Sequence, residues 1–140
     1  MIRLLWLALL LALPSHAALA SKIVVTVEGL RSDRGQVMVG LFSKPEHFPD
    51  GDYADQYVRR PASTAPVTVV FDGLQPGLYA LGAYHDENGN DHLDTDFIGL
   101  PIEGYALSNG VRAILSKPTF QQAAFTIGAE DKPVALHIRY

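Results

Sequence analysis

Short runs of β-forming residues, each followed by a turn, recur through most of the sequence and constrain the fold more than any other feature. Ile23–Glu28 is rich in valine and isoleucine, and Gln36–Phe42 alternates valine or leucine with other residues. A period of two is typical of a half-buried strand. The turn residues Arg31–Gly35 between the two runs predict a hairpin. Because no segment keeps a 3.6-residue apolar period, the sequence predicts an all-β protein.

Further runs complete the predicted strand set, and long connections separate some of them. The other predicted strands are Pro66–Phe71, Leu78–His85, Val111–Leu115, Thr119–Ile127 and Val134–Tyr140. About seven short strands with turns between them predict a β-sandwich. Ser43–Ala65 and Asp86–Gly110 are predicted as loops, and loops of this length need something that holds them in place.

The first twenty residues have a different character from the rest and predict a secretory signal peptide. Arg3 gives a positive start, Leu4–Leu13 is an unbroken apolar run, and Ala17 and Ala20 each end an A-x-A-like cleavage site. Ten helical residues rise only about 15 Å, half of a bilayer core, so no stable membrane insertion is expected. The remaining residues, 21–140, have the size of one domain, which we expect to be periplasmic or secreted.

Composition excludes several classes of function. The chain has no cysteine, so thiol catalysis, thiolate metal sites and disulfides are excluded. Its formal net charge is −4, and the basic residues after Arg60 form no cluster. Nucleic acid is therefore not expected as a partner. The partners that remain are a cation and an unknown protein or glycan.

The densest group of acids lies in a loop whose oxygen-bearing residues are regularly spaced. Loop positions 1, 3, 5 and 9 are Asp86, Asn88, Asn90 and Asp94. Alternate side chains of such a loop point inward, and hard cations take six to eight oxygens at about 2.4 Å. This spacing predicts a calcium site.

The remaining ligands and the affinity follow from the same pattern. The backbone carbonyl of His92 stands at position 7, and either Asp96 or Glu103 closes the site. An EF-hand is rejected, because Asp91 replaces the glycine of position 6 and Phe97 replaces the glutamate of position 12. Without that glutamate we expect weak binding, on the order of 10⁻⁴ to 10⁻³ M. Asp, Asn and Gly are also turn residues, so an ordinary structural turn remains the alternative.

The residues around this loop carry a family resemblance. His85–Asn109 resembles a family of uncharacterised bacterial exported proteins, a domain of unknown function, marked by H-D-x-N-x-N-x-x-L-D, G-x-P-x-E-G-Y and S-N. Phe71–Tyr79 is similar to the F-x-x-L-x-P-G-x-Y motif of prealbumin-like and carboxypeptidase-regulatory-like β-sandwiches. The resemblance implies an immunoglobulin-like sandwich outside the cytoplasm and no established activity. Asp91 departs from it, since a glycine is usual there.

Two functional questions stay open at this point. The first is whether Gly99–Tyr105 forms a binding surface or packs onto the sandwich. The second is whether His85, Asp86 and Ser108 form a hydrolytic triad. No G-x-S-x-G turn surrounds a serine, so a binding or structural module is favoured over an enzyme.

Overall fold

The chain is mostly β, as the sequence predicts. The structure, a computed structural model, describes residues 20–114 and 116–140. The predicted signal peptide, apart from Ala20, lies outside the described residues. Within them, eight strands and one short α-helix occur: β1 Ser21–Glu28, β2 Gln36–Phe42, β3 Gln56–Pro61, β4 Val67–Leu74, β5 Gly77–Asp86, β6 Tyr105–Leu107, α1 Phe120–Ala123, β7 Phe125–Ile127 and β8 Lys132–His137. Two short 3₁₀ helices, Gly51–Tyr53 and Ser108–Gly110, lie between strands. None of the described helices is long and apolar enough to cross a membrane.

The strands form two sheets, with the orders β4-β1-β8 and β3-β2-β5-β6, and β7 pairs with the start of β5. β1 runs antiparallel to β4 and parallel to β8, while β2 runs antiparallel to β3 and β5. The predicted β1–β2 hairpin is therefore wrong. The turn at residues 31–35 carries the chain from one sheet to the other. Alternation marks a strand and its buried face, but it does not identify the strand's partner.

Both sheets bury their alternating apolar residues in one shared core. Its members include Ile23, Val25, Val27, Val37, Val39, Leu41, Val69, Phe71, Leu81 and Leu136. Burying each of these side chains contributes roughly 1.5–3 kcal/mol. The shared core thus holds the two sheets together without disulfides.

The opposite face of the second sheet is also covered, although only in part. A second cluster there comprises Phe42, Phe48, Ala80, Tyr105, Leu107, Phe120 and Ala123. The connection after β2 supplies Phe48 to this cluster, and α1 supplies Phe120 and Ala123. β2 is consequently buried on both faces.

Three predicted segments need correction. Ser43–Ala65 is not all loop, because it contains β3, and the predicted loop Asp86–Gly110 contains β6. The part of Val111–Leu115 that the structure describes, residues 111–114, forms no strand. β3 has no buried residue, so it lacks the apolar alternation that reveals a half-buried strand.

The predicted strand Thr119–Ile127 begins as a helix instead. The Thr119 hydroxyl accepts a hydrogen bond from the backbone N–H of Gln122, and the Gln122 side chain accepts one from the backbone of Thr119. This reciprocal pair is a capping box, which stabilises the first turn of a helix. Only Phe125–Ile127 is extended.

Candidate functional site

The acidic loop connects two neighbouring strands of the second sheet, β5 and β6. β5 ends at Asp86, and the chain returns along β6, where Tyr84 pairs with Tyr105. The backbone N–H of His85 also donates to the carbonyl of Gly104 at 2.8 Å. The two ends of the loop are therefore fixed side by side.

Asp86 is completely buried at the base of the loop, where both carboxylate oxygens accept hydrogen bonds. Oδ1 accepts from the backbone N–H of Gly89 at 2.8 Å and of Asn90 at 3.1 Å. Oδ2 accepts from Asp91 N–H at 3.0 Å and from Gln36 Nε2 at 2.7 Å. Burial alone raises the pKa of Asp86, but these four donors outweigh it and hold the pKa below its ordinary value. Asp86 thus organises the turn as a buried anion.

Glu103 holds the other side of the loop. Its Oε1 accepts from the backbone N–H of Glu87 at 2.9 Å, and its Oε2 accepts from that of Asp94 at 3.1 Å. Glu103 is buried, so these bonds satisfy a carboxylate that would otherwise be costly to desolvate. With Asp86, it fixes the loop backbone at two separate places.

Three of the predicted ligands, Asn88, Asn90 and Asp94, meet at the outer surface of the loop whose backbone Asp86 and Glu103 hold. Asn88 Nδ2 lies 2.6 Å from Asp94 Oδ2, and Asn90 Nδ2 lies 2.9 Å from Asp94 Oδ1. The side-chain oxygens of Asn88 and Asn90 accept from backbone N–H groups two residues further on. Rotating either amide by half a turn points its oxygen toward the Asp94 carboxylate, where a cation could bridge them.

The other predicted ligands do not join this group through their side chains. Asp96 Oδ1 accepts from the backbone N–H of Ile98 at 3.0 Å and of Leu100 at 2.9 Å, so it shapes a separate small turn. His92 donates its backbone N–H to Asn90 Oδ1 at 3.0 Å. Residues 20–114 and 116–140 hold no cluster of three or more acidic, histidine or cysteine side chains suited to a metal. A cation site here therefore depends on the amide oxygens.

Asp91 links the loop to the outer face of the second sheet. Its φ of 66° is left-handed, a conformation that glycine adopts freely and aspartate tolerates better than most residues. Its carboxylate forms an ion pair with Arg59 at 2.7 Å and accepts from Gln36 Nε2 at 2.8 Å. Its carbonyl accepts from the Tyr84 hydroxyl at 2.9 Å.

The residues of the possible triad have other partners. His85 is completely buried, with Nδ1 2.5 Å from the Tyr140 hydroxyl and Nε2 2.7 Å from the carbonyl of Arg34. The Ser108 hydroxyl donates to the carbonyl of Ala123 at 2.6 Å. His85 thus joins the last residue to the turn before β2, and Ser108 joins β6 to α1.

Arg31 and Tyr140 were missed in the sequence as neighbours of the loop. Arg31 forms a two-pronged ion pair with Glu87, and its guanidinium lies 4.2 Å from the centre of the Tyr140 ring. The hydrogen bond from Arg31 lowers the pKa of Glu87, against the opposing effect of burial. Arg31 is more than fifty positions along the chain from both Glu87 and Tyr140, so no local sequence pattern could reveal these contacts.

One end of the segment Gly99–Tyr105 packs against the protein, and the rest of it is exposed. Tyr105 is buried and packs in the second cluster, whereas Leu100 and Ile102 are exposed. They share an apolar projection with Ile98 and with Phe97, whose side chain is 99 % exposed. Packing thus holds only the C-terminal end of the segment.

Comparison with known families gives a match that covers most of the chain. The family described as "Uncharacterized protein conserved in bacteria (DUF2141)" matches residues 25–135, most of the chain. Comparisons with curated proteins and with solved structures gave no significant match.

Proposed function

The chain belongs to this family of uncharacterised bacterial proteins, and from that premise we propose that it is an exported, non-catalytic binding module of immunoglobulin-like fold whose acidic loop binds calcium weakly. The observation that carries the proposal is the meeting of Asn88 and Asn90 with both carboxylate oxygens of Asp94. Three oxygen-bearing side chains converge there on a backbone that other residues already hold.

The fold and the place of action have separate support. Two sheets around one core are the arrangement of immunoglobulin-like and prealbumin-like sandwiches. The signal-like segment at residues 3–13, followed by two small-residue cleavage sites, fits export to the periplasm or the medium. Folds of this class present their loops at the ends of the sheets, where binding surfaces form.

The ligand set differs from the simple spacing rule at Asp86 and at the closing position, where water takes the place of Asp96 or Glu103. All hydrogen-bonding positions of the Asp86 carboxylate are used by N–H donors, so its role is to build the loop. The proposed ligands are Asn88, Asn90 and Asp94, with the His92 carbonyl and water completing the shell. A site with one carboxylate has little negative charge, which accords with affinity on the order of 10⁻³ M.

Thermal unfolding tests the calcium site. At about ten times Kd, calcium adds roughly 1.4 kcal/mol to the free energy of unfolding, which raises the Tm by a few degrees for a domain of this size. Magnesium should do less, because it demands a tight octahedral shell. Asp94→Ala should abolish the calcium response. The matched control Asp72→Ala, an exposed acid on β4, should keep it.

The contrary outcome is equally clear. If the wild-type Tm is the same in about 10 mM calcium, ten times the expected Kd, and in chelator, Asp86–Asp96 is a structural turn. The observation that favours this alternative is the completeness of the loop's own hydrogen bonds.

A further inference from the structure

A cleft lies on the outer face of the second sheet, between the connection after β2, the acidic loop and the segment before α1. Its volume is about 350 Å³. Pockets that bind small molecules occupy roughly 300–1,000 Å³ and are mostly apolar with a few placed polar groups. The cleft therefore has room for a small organic molecule.

The floor of the cleft is a pair of glycines on adjacent central strands. Gly40 of β2 and Gly82 of β5 are direct register partners, with Tyr57 of β3 beside one and Leu107 of β6 beside the other. Both glycines line the cleft, and neither has a positive φ. Glycine inside a strand weakens it and often marks a place where a ligand or another chain approaches the backbone. A Cβ at Gly40 would lie 3.2 Å from Ala54 Cβ and from Phe42 Cε2, and one at Gly82 would lie 3.3 Å from Leu107 Cδ2. The backbone itself does not require glycine here, so the effect of the pair is to let these side chains and the cleft come close to the backbone.

Aromatic side chains form much of the wall. Phe42, Tyr57, Tyr84 and Tyr105 all line the cleft. The Tyr57 and Tyr84 hydroxyls lie 2.8 Å apart. Burial raises the pKa of both phenols, so they stay neutral and present aromatic surface with fixed hydroxyl groups.

The charged groups of the cleft are mostly acidic. Asp50, Asp52, Asp91 and Lys117 line it. Asp91 is paired with Arg59, which leaves two carboxylates against one ammonium group. The whole chain also carries a net negative charge. A bound cation is therefore favoured over an anion.

From these features we propose that the cleft binds a small organic cation with a flat apolar ring and an ammonium group on an alkyl chain, of the arylalkylamine class. The ring lies on the Gly40–Gly82 floor, and the ammonium group faces Asp50, Asp52 and the tyrosine rings. Aromatic rings with nearby carboxylates attract such cations through cation–π and ionic interactions. The cleft shares one lining residue, His92, with the proposed calcium site, whereas Asn88, Asn90 and Asp94 do not line it.

Three probes with the same ring and different charge test the proposal: tryptamine, tryptophol and indole-3-acetate. Titrations followed by amide NMR are made in chelator, so that a failure of the calcium site does not affect the result. Tryptamine should bind at least about tenfold more tightly than indole-3-acetate. The shifted amides should include Gly40, Gly82 and Tyr57. Equal affinity for the three probes, or shifts confined to other faces of the protein, overturns the proposal.

Matched variants separate the cleft from nonspecific effects. Gly82→Val places a side chain on the floor, where its Cβ meets Leu107 Cδ2 at 3.3 Å, and should abolish tryptamine binding. Gly128→Val makes the same change in open space and should leave binding intact. Asp52→Asn should weaken binding several-fold, while Asp72→Asn, on the other sheet, should not. Unchanged binding in a folded Gly82→Val protein overturns the proposal, and the wild-type shift map decides the matter if that variant does not fold.

Discussion

Gln36 and Asp86 are register partners across β2 and β5, and the Gln36 amide donates to the buried Asp86 carboxylate at 2.7 Å. The same Gln36 nitrogen reaches the Asp91 carboxylate at 2.8 Å. One side chain at the start of a strand therefore joins the sheet to both the base and the middle of the acidic loop. The sheet, through this amide, sets the shape of the loop.

Asp86→Ala should destabilise the fold by about 3 kcal/mol or more, because four donors lose their acceptor and three of them are backbone N–H groups. Asp94→Ala, at a half-buried position on the outer side of the loop, should cost less, about 1 kcal/mol. Urea denaturation of the two variants measures the difference. Equal losses would show that the buried carboxylate does not anchor the loop.

Stability should fall in acid through Asp86 and Glu87. Both have pKa values below their ordinary 3.8 and 4.5, so the folded state binds protons less readily than the unfolded state. Their contribution is complete above about pH 5 and is lost as the pH drops below 4.5 and through the lowered values. Denaturation between pH 2 and pH 6 should show this slope. In Asp86→Asn the slope should be shallower, and an unaltered slope would contradict the assignment.

Gly104→Ala should be strongly destabilising although glycine at this position has no positive φ. A Cβ there would lie 2.5 Å from Tyr140 Cε1 and 2.6 Å from Ile138 Cγ2. Such overpacking costs typically 1–3 kcal/mol. Gly128→Ala, which meets nothing within 4 Å, is the control for the loss of glycine. Thermal unfolding compares them, and adding Tyr140→Ala should recover part of the loss in Gly104→Ala.

Mass spectrometry of the protein from its natural host should find an N-terminus at Ala18 or Ser21 in the periplasmic or secreted fraction. The expectation follows from the apolar run and the two small-residue cleavage sites. Replacing Ala20 with a bulky residue should move cleavage to Ala17 or block it. A chain that keeps Met1 in the cytosol would contradict export.

The sequence was informative where one face of a strand is buried. Val25, Val69 and Leu136 are buried and alternate with more exposed residues, and each lies in a strand whose position was predicted. β3 escaped prediction because it is a largely exposed edge strand, and burial is what creates the pattern. The pairing of β1 escaped because its neighbours, β4 and β8, lie far along the chain.

The oxygen spacing predicted the loop, but it did not predict which residues build the loop and which remain available as ligands. Spacing makes Asp86 the first ligand, whereas its buried carboxylate accepts four hydrogen bonds, one of them from Gln36, fifty residues earlier. The Gly40–Gly82 pair left one visible signal, a glycine within each of two predicted strands. The sequence does not show that these two strands are neighbours, so it could not predict that the two glycines lie side by side.

The position of β1 between β4 and β8 determines when folding can finish. Ile23, at the start of the domain, pairs with Lys132, close to its end. The first sheet therefore stays open on one side until the last strand is available, and the final step closes a loop of more than a hundred residues. Topologies with such distant pairings fold slowly. Under the proposed export, this delay would help the chain to stay unfolded during its passage through a membrane, because its N-terminal strand cannot complete a sheet before the C-terminal strand is available.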